Sequence, residues 1–339
     1  MGGNPPGLAH RQPKAVSSSN ERPGPESGAA DSGCGLCGAG SAFVRYDFGA
    51  HRILRCPGCT FMWLDPQPSA AELHEVYGAD YYRNEQFFDA GGDTIYGYHD
   101  YLSERFVKQQ DLKRVVDRIS TLLGGTGEGG DGRGAEVRGQ RFLDVGCGLG
   151  YLLDVAHDRG FAVEGIDYNR SAVDWIARKY RFSAACGDFM AYEGEPCDAV
   201  TMLDVIEHLP QPFDALAKAA SLTRPGGIFA VSTMDCDSFV SRLLGQRLED
   251  FRRTREHLYF FNRRTMRAGL ERAGFEVLRI DTYGLTIRLD ALMKRARLAV
   301  PGIGAGLERL VRWAGLSRQQ IHFDPRTKMI VYARRTAGS

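Results

Sequence analysis

Beyond residue 140 the chain alternates short apolar runs with amphipathic stretches. Seven runs read as strands: Phe142–Val145, Ala162–Ile166, Phe182–Ala185, Ala199–Leu203, Ile228–Ser232, Glu276–Ile280 and Met329–Ala333. Short apolar runs bounded by turn residues suit strands covered on both faces, and their alternation with helical patterns argues for an α/β fold with a doubly wound sheet. Between the last two runs, residues 284–327 form an insertion with amphipathic pieces at Leu289–Leu298 and Leu307–Ala314, expected to fold over the mouth of the sheet. Upstream, Val107, Leu112, Val115, Val116, Ile119 and Leu122 recur at helical spacing within His99–Leu123. A shorter helix carrying Glu72, Leu73 and Val76 is expected to be capped by Ser69, just after the turn Pro66-Gln67-Pro68. An aromatic passage, Tyr77, Tyr81, Tyr82, Phe87 and Phe88, lies between these helices, and packing is its expected role ahead of cleft lining.

These patterns divide the chain into a Pro-, Ser- and Gly-rich tail over 1–33, expected to be disordered, and a compact cysteine module over 34–65. A helical cap with a Gly-rich linker follows over 66–139, then the sheet domain over 140–339. Composition agrees with a folded protein, 43% hydrophobic and 25% charged. A formal charge of +1 gives no broad field for nucleic acid, but the charge is segregated. From Asp281 onward eleven basic residues face four acidic ones, so the end of the chain is its basic part. That surplus on amphipathic segments suggests peripheral contact with an anionic membrane, against the plainer reading of a solvated basic lid.

Four of the eight cysteines form two close pairs, Cys34-x-x-Cys37 and Cys56-x-x-Cys59, with eighteen residues between the pairs. Two such knuckles joined by a hairpin can supply four thiolates to one tetrahedral, structural Zn2+ ion. Gly35, Gly38, Pro57 and Gly58 supply the tight turns. The thiols favour a reducing compartment, and no secretory or membrane-spanning run is evident, so a cytoplasmic location is expected.

The chemistry-bearing run is Phe142-Leu143-Asp144-Val145-Gly146-Cys147-Gly148-Leu149-Gly150, an apolar strand ending in a glycine-rich turn before a helix. Glycines let the backbone turn tightly and approach a ligand closely. A dinucleotide fingerprint would carry its third glycine one residue later, where this chain has Tyr151. Asp167 ends the next strand, where a carboxylate can accept two ribose hydroxyls, and Gly187-Asp188-Phe189 follows the third.

Together these runs resemble class I S-adenosylmethionine-dependent methyltransferases. The resemblance continues in Cys197-Asp198-Ala199-Val200 through Asp204-Val205-Ile206-Glu207-His208, in Leu222-Thr223-Arg224-Pro225-Gly226-Gly227, and in Ala273-Gly274-Phe275-Glu276-Val277. It implies a Rossmann-like seven-stranded sheet of order 3-2-1-4-5-7-6 with the seventh strand antiparallel. It also implies a cofactor set of Asp144, Gly146, Gly148, Gly150, Asp167, Asp188 and Leu203, with Asp144 facing the aminoacid end and Asp188 near the adenine. The ribbon and the residues after it, from Arg55 through Pro68 to Tyr77, resemble bacterial methyltransferases with an N-terminal zinc ribbon from surface-glycan and secondary-metabolite pathways. In these the ribbon and following helices are expected to cover the acceptor cleft.

Methyl transfer to a hydroxyl requires alignment of acceptor and methyl and a destination for a proton. Glu207, His208 and the later His257 are the candidate catalytic residues. With Asp204 they resemble the metal set of small-RNA 2′-O-methyltransferases, and more loosely that of ubiquinone-pathway O-methyltransferases. Two readings stay open: a second divalent ion on Asp204, Glu207, His208 and His257, or a metal-free base, His257 or His208. A third is structural, with Glu207-His208 merely opening the next helix. The expected reaction is O-methylation of a small metabolite or glycan. Alternatives are an RNA methyltransferase that grips RNA with the ribbon, or a non-catalytic ribbon scaffold. Three Arg and one Asp within the ribbon make a poor phosphate track, so nucleic acid is the weaker partner. Asn4-Pro5-Pro6-Gly7 imitates a base-methylation motif but has no strand before it.

Overall fold

The computed structural model describes residues 33–77, 105–124, 137–299 and 301–337. The tail, Tyr81, Tyr82, Phe87, Phe88, the start of the His99–Leu123 helix and most of the Gly-rich linker lie outside the described residues. In chain order the elements begin with β1 (Phe43–Asp47), β2 (Arg52–Arg55), β3 (Met62–Asp65), α1 (Ala70–Val76) and α2 (Arg105–Leu123). Then come β4 (Arg141–Val145), α3 (Tyr151–Asp158), β5 (Ala162–Asp167), α4 (Arg170–Lys179), β6 (Ser183–Cys186) and β7 (Cys197–Leu203). They continue with α5 (Pro212–Ser221), β8 (Thr223–Met234), α6 (Phe239–Leu244), α7 (Glu249–Arg252), β9 (Tyr259–Phe260), α8 (Arg263–Arg272) and β10 (Phe275–Thr282). The last are β11 (Leu285–Arg288), α9 (Leu289–Ala299), α10 (Pro301–Trp313), β12 (Gln320–Phe323) and β13 (Lys328–Arg335).

Seven strands form the central sheet in the order β10-β13-β8-β7-β4-β5-β6. The pairs among β8, β7, β4, β5 and β6 are parallel, whereas β13 runs antiparallel to both β8 and β10. This is the order the resemblance implies, with β4 as its first strand. Successive residues of each strand serve opposite faces, which explains why the runs look apolar throughout. On β8, Phe229 and Val231 pack toward α5 and α8, while Ile228 and Ala230 pack toward α2 and α3. β13 repeats the pattern, with Val331 and Ala333 on one side and Ile330 and Tyr332 on the other. Both faces are covered, so a strand with one polar face would leave buried groups without partners.

The cysteine hairpin is built into the body. β1, β2 and β3 form an antiparallel sheet that β9 extends, through Met62 opposite Phe260 and Trp63 opposite Tyr259. Leu54 and Trp63 join the core beneath α5, and Ile53, Met62 and Leu64 join a second core with Leu73 and Phe251. Arg55 holds Asp237 through two bonds of 2.9 Å, and Arg272 donates to the carbonyls of Gly35 and Leu36. Ser69 caps α1 with a reciprocal box in which Glu72 returns the bond, as its spacing predicts.

Candidate functional site

In open α/β sheets, ligands settle at the carboxyl ends of strands where the strand order reverses. Here that point lies between β4 and β7, and a cavity of about 500 Å3 opens there. Asp144 and Gly146 enter it from β4, Asp167 from β5, Asp188 from the turn after β6, and Leu203 from β7.

The turn after β4 is shaped by its glycines. Gly146 has φ +71°, and a Cβ there would lie 2.4 Å from Val205 Cγ2, so neither the conformation nor the space admits a side chain. Its amide donates to the Ile166 carbonyl at 2.8 Å, tying the turn to β5. Gly148 donates its amide to Asp167 Oδ2 at 2.8 Å, and Asn169 donates to Oδ1 at 2.8 Å, so two backbone bonds aim this carboxylate. Gly148 and Gly150, expected at the cofactor, stand behind the wall: one orients Asp167, and the other, at φ +77°, caps α3.

Asp144 is buried and accepts from the Thr201 hydroxyl at 2.7 Å. Burial pushes its carboxyl up to about 7, against the Thr201 bond and with help from the nearby charge of Asp167. Asp188 caps the short 3-10 turn Phe189–Ala191 by accepting from the Met190 amide at 2.9 Å.

The same cavity is lined by Tyr77, which caps the end of α1, and by His208 of the 3-10 turn Ile206–His208. The Tyr77 hydroxyl is 2.9 Å from His208 Nδ1, which also lies 3.0 Å from the Glu256 carbonyl. A carbonyl only accepts, so Nδ1 carries the proton and Nε2 keeps its lone pair. Burial is the largest influence on this imidazole and brings it down to about 4, with Glu256 opposing and Arg253 adding. His257 packs edge-on to it, with ring centroids 4.8 Å apart. Its Nδ1 lies 3.0 Å from the Asp250 carbonyl, which again leaves the proton on Nδ1, and its buried Nε2 meets no hydrogen-bond partner. Burial drives His257 well below the ordinary histidine range, helped by the charge of Arg253. Glu207 is buried beside them with Oε2 unpartnered, and burial together with the charge of Asp204 pushes its carboxyl up to about 8.

One ligand atom from each of Glu207, His208 and His257 lies within 4.8 Å of the others. Asp204, expected as a fourth member, is outside this cluster. Its carboxylate binds Lys328 Nζ at 2.6 Å and accepts from the Ser232 hydroxyl at 3.0 Å. Burial would raise its pKa, but the Lys328 ammonium outweighs that and holds it below the ordinary range. Glu207-His208 does not open the following helix, since α5 starts at Pro212. Glu207 and His257 do not line the cavity; His208 does.

The roof comes from the insertion, as its pattern predicts. β11 pairs with β12, and Leu285–Arg288 with Ala291 close the cavity. Asp111 of α2 fastens it, accepting from the Thr286 amide at 2.5 Å and the Thr286 hydroxyl at 3.0 Å. Sequence reasoning missed both Asp111 and Lys328, because each matters only through a partner far along the chain. The cysteine hairpin does not line the cavity; the helix after it does, through Leu73, His74 and Tyr77. That corrects the expectation that the ribbon itself covers the cleft, for its two faces are already spent on the cores beneath it.

At the hairpin's tip the four sulfurs of Cys34, Cys37, Cys56 and Cys59 lie within 4.8 Å of one another. Cys34 and Cys59 are 3.4 Å apart, and Cys37 and Cys56 3.5 Å. Four thiolates around one tetrahedral zinc ion stand about 3.8 Å apart, given a Zn–S length of about 2.3 Å, so the donor set fits.

A doubly wound sheet with a glycine turn, and with carboxylates at or just past three successive strands lining one cavity, defines a nucleotide-type cradle. A family model described as a methyltransferase domain matches residues 101–280, more than half of the chain, and the protein belongs to that family. Among curated relatives, a protein named ubiquinone biosynthesis O-methyltransferase from Aromatoleum aromaticum is 35% identical over 112 residues, 30% of this chain and 47% of its own length. One of the same name from Pseudomonas aeruginosa is 29% identical over 185 residues, 49% of this chain and 75% of its own. The chain thus spans about half the length of the first of these. A solved 1,6-didemethyltoxoflavin-N1-methyltransferase from Burkholderia thailandensis superposes with a TM-score of 0.47 at 15% identity, covering 87% of this chain and 99% of its own. Among the described residues no helix is long and apolar enough to cross a membrane.

Proposed function

We propose that the protein transfers a methyl group from S-adenosylmethionine to a hydroxyl of a small molecule. The observation that carries this reading is one cavity lined by Asp144, Asp167 and Asp188 and also by His208 and Tyr77. When bound, S-adenosylmethionine supplies an electrophilic methyl on a sulfonium. Asp167, already aimed by two backbone amides, accepts the ribose hydroxyls; Asp144 faces the aminoacid end and Asp188 the adenine. Gly146 admits the cofactor where a side chain would stand. The roof of β11 excludes water, and His208 Nε2 is the lone pair available to the acceptor's proton.

Relatives named O-methyltransferases support an oxygen acceptor of small size, and they lend no support to a glycan. The ribbon's packed faces and the overall charge of +1 speak against an RNA grip. A structural metal site completes the proposal. The four cysteines hold a structural zinc ion, closed by protein ligands. An alternative reading of the same residues is that Glu207, His208 and His257 hold a divalent cation, with His208 Nε2 then a ligand in place of a proton acceptor; its support is that the buried Oε2 of Glu207 and Nε2 of His257 otherwise meet no partner. A cation there would act as a Lewis acid on the acceptor hydroxyl.

The test is transfer of radiolabelled methyl from S-adenosylmethionine to a panel of phenols and catechols, with metal content measured on the same protein. Product from the wild type, none from Asp167→Ala, and about one tightly held zinc per chain are expected. Labelled cofactor that binds but yields no product with any hydroxyl, amine or carbon acceptor would favour the scaffold reading.

A further inference from the structure

The methyltransferase-domain match ends at residue 280, so α9 and α10 lie beyond it. They form the excursion between β11 and β12, the two strands of the small roof sheet. The two helices pack through Gly304, where a Cβ would come within 2.3 Å of the Arg297 backbone. Glu308 sits on the same side of α10 and pairs with Arg297 at 3.6 Å.

Away from that seam α10 carries a second apolar stripe, which nothing in the described structure covers. Ile303, Leu307, Leu310 and Trp313 follow one another at four- and three-residue steps along one helix face. Their exposures are 66%, 41%, 56% and 85%, and Leu316 just past the helix adds 40%. Lone exposed apolar residues are ordinary, but a contiguous run of large ones ending in a tryptophan calls for a partner. Charge indicates which. Between Leu289 and Arg318 six basic residues stand against two acidic ones, a surplus of +4 in a chain whose total is +1. Of these, Lys294, Arg309, Arg312 and Arg318 are exposed. An apolar stripe flanked by cations, with an aromatic at its end, is the makeup of a helix that lies in the interface of an anionic bilayer. A second copy of this chain would bring cations against cations.

The geometry points to the α9–α10 hairpin as a membrane-docking surface that seats α10 in the headgroup layer of an anionic bilayer. Because β11 lines the cavity and leads directly into α9, a docked hairpin brings the cavity roof to the lipid surface. No step of this depends on methyl transfer, and the assay below reads binding alone.

The full chain is mixed with vesicles of phosphatidylcholine containing phosphatidylglycerol, and with phosphatidylcholine alone, and floated. Flotation with the anionic vesicles only, weakened by salt, is expected. Trp63 is buried and Trp175 half-buried, so Trp313 should dominate a blue shift in tryptophan emission on binding, and Trp313→Phe should remove most of it. Arg309→Gln with Arg318→Gln should lower partitioning about 25-fold, at about fivefold per charge. Leu310→Asp should lower it more than tenfold, and unchanged cofactor affinity in these variants reports an intact fold. Absence from the anionic vesicle fraction would overturn the proposal, as would light scattering that shows a dimer which Leu310→Asp dissociates.

Discussion

Two parts of the cavity wall are assembled differently. In the part proposed to hold the cofactor, Asp144, Gly146, Asp167 and Asp188 lie at or just past three successive strands in one short stretch of chain. In the rest of the wall, which includes the residues proposed to meet the acceptor, Tyr77 follows α1, Asp111 comes from α2, His208 from the turn after β7 and Thr286 from the insertion. The first part is fixed by backbone: a glycine turn, amide bonds to Asp167 and the register of parallel strands. The second is fixed by side chains that meet across the fold, Tyr77 on His208 and Asp111 on Thr286. Backbone geometry tolerates much change elsewhere in the sequence, whereas a site made of distant side chains can be retuned one contact at a time. One framework can therefore keep its cofactor while its acceptor varies.

The largest expected effect separates the two parts of the wall. His208→Ala should lower kcat about a thousandfold, in the range typical of a lost proton acceptor, while cofactor affinity stays within a factor of two to three. Equal loss of both quantities in steady-state and binding assays would mean that the two parts are not separable.

A second prediction concerns pH in the part proposed to hold the cofactor. Asp144 holds its proton up to about pH 7, and an ionised carboxylate is the form that faces a cationic amine. Cofactor affinity should therefore fall about tenfold for each pH unit below 7, with proton release on binding, and Asp144→Asn should flatten the profile. Without cofactor the sign for stability is opposite. The unfolded chain gives up this proton near pH 3.8 and the folded chain near 7, so the group's contribution is complete below about 3.8 and is lost as pH rises through 7. Thermal melts with and without cofactor across this window check both signs.

The smallest effect is at Tyr77. Tyr77→Phe removes one hydrogen bond to His208, which is worth about 1 kcal/mol, and should change kcat about fivefold with no change in cofactor affinity. A larger loss would place the phenol itself in contact with the reacting atoms.

The same contrast governs what could be read in the sequence. The central strands were legible because both sheet faces are covered, so runs such as Phe142–Val145 and Met329–Ala333 are apolar throughout. The cysteine spacing was legible because knuckle geometry is local. β9 was not, for two residues carry no periodicity, yet they bind the ribbon to the body. Asp111 sits among other polar residues of an amphipathic helix, and nothing near it announces Thr286. Lys328 opens an ordinary strand, and only the fold shows that it neutralises Asp204 and removes it from the Glu207, His208 and His257 cluster. His257 was legible as a residue of interest, but its place behind the cavity wall depends on the turn that bonds it to the Asp250 carbonyl.

The most direct measurement is calorimetric titration of S-adenosylmethionine into the purified full chain above pH 7, beside Asp167→Ala. The account predicts micromolar binding at one site per chain in the wild type and at least a hundredfold loss in the variant, from two charge-assisted hydrogen bonds at about 1.5–3 kcal/mol each. No heat of binding to a folded wild type, or equal affinity in the variant, would contradict it.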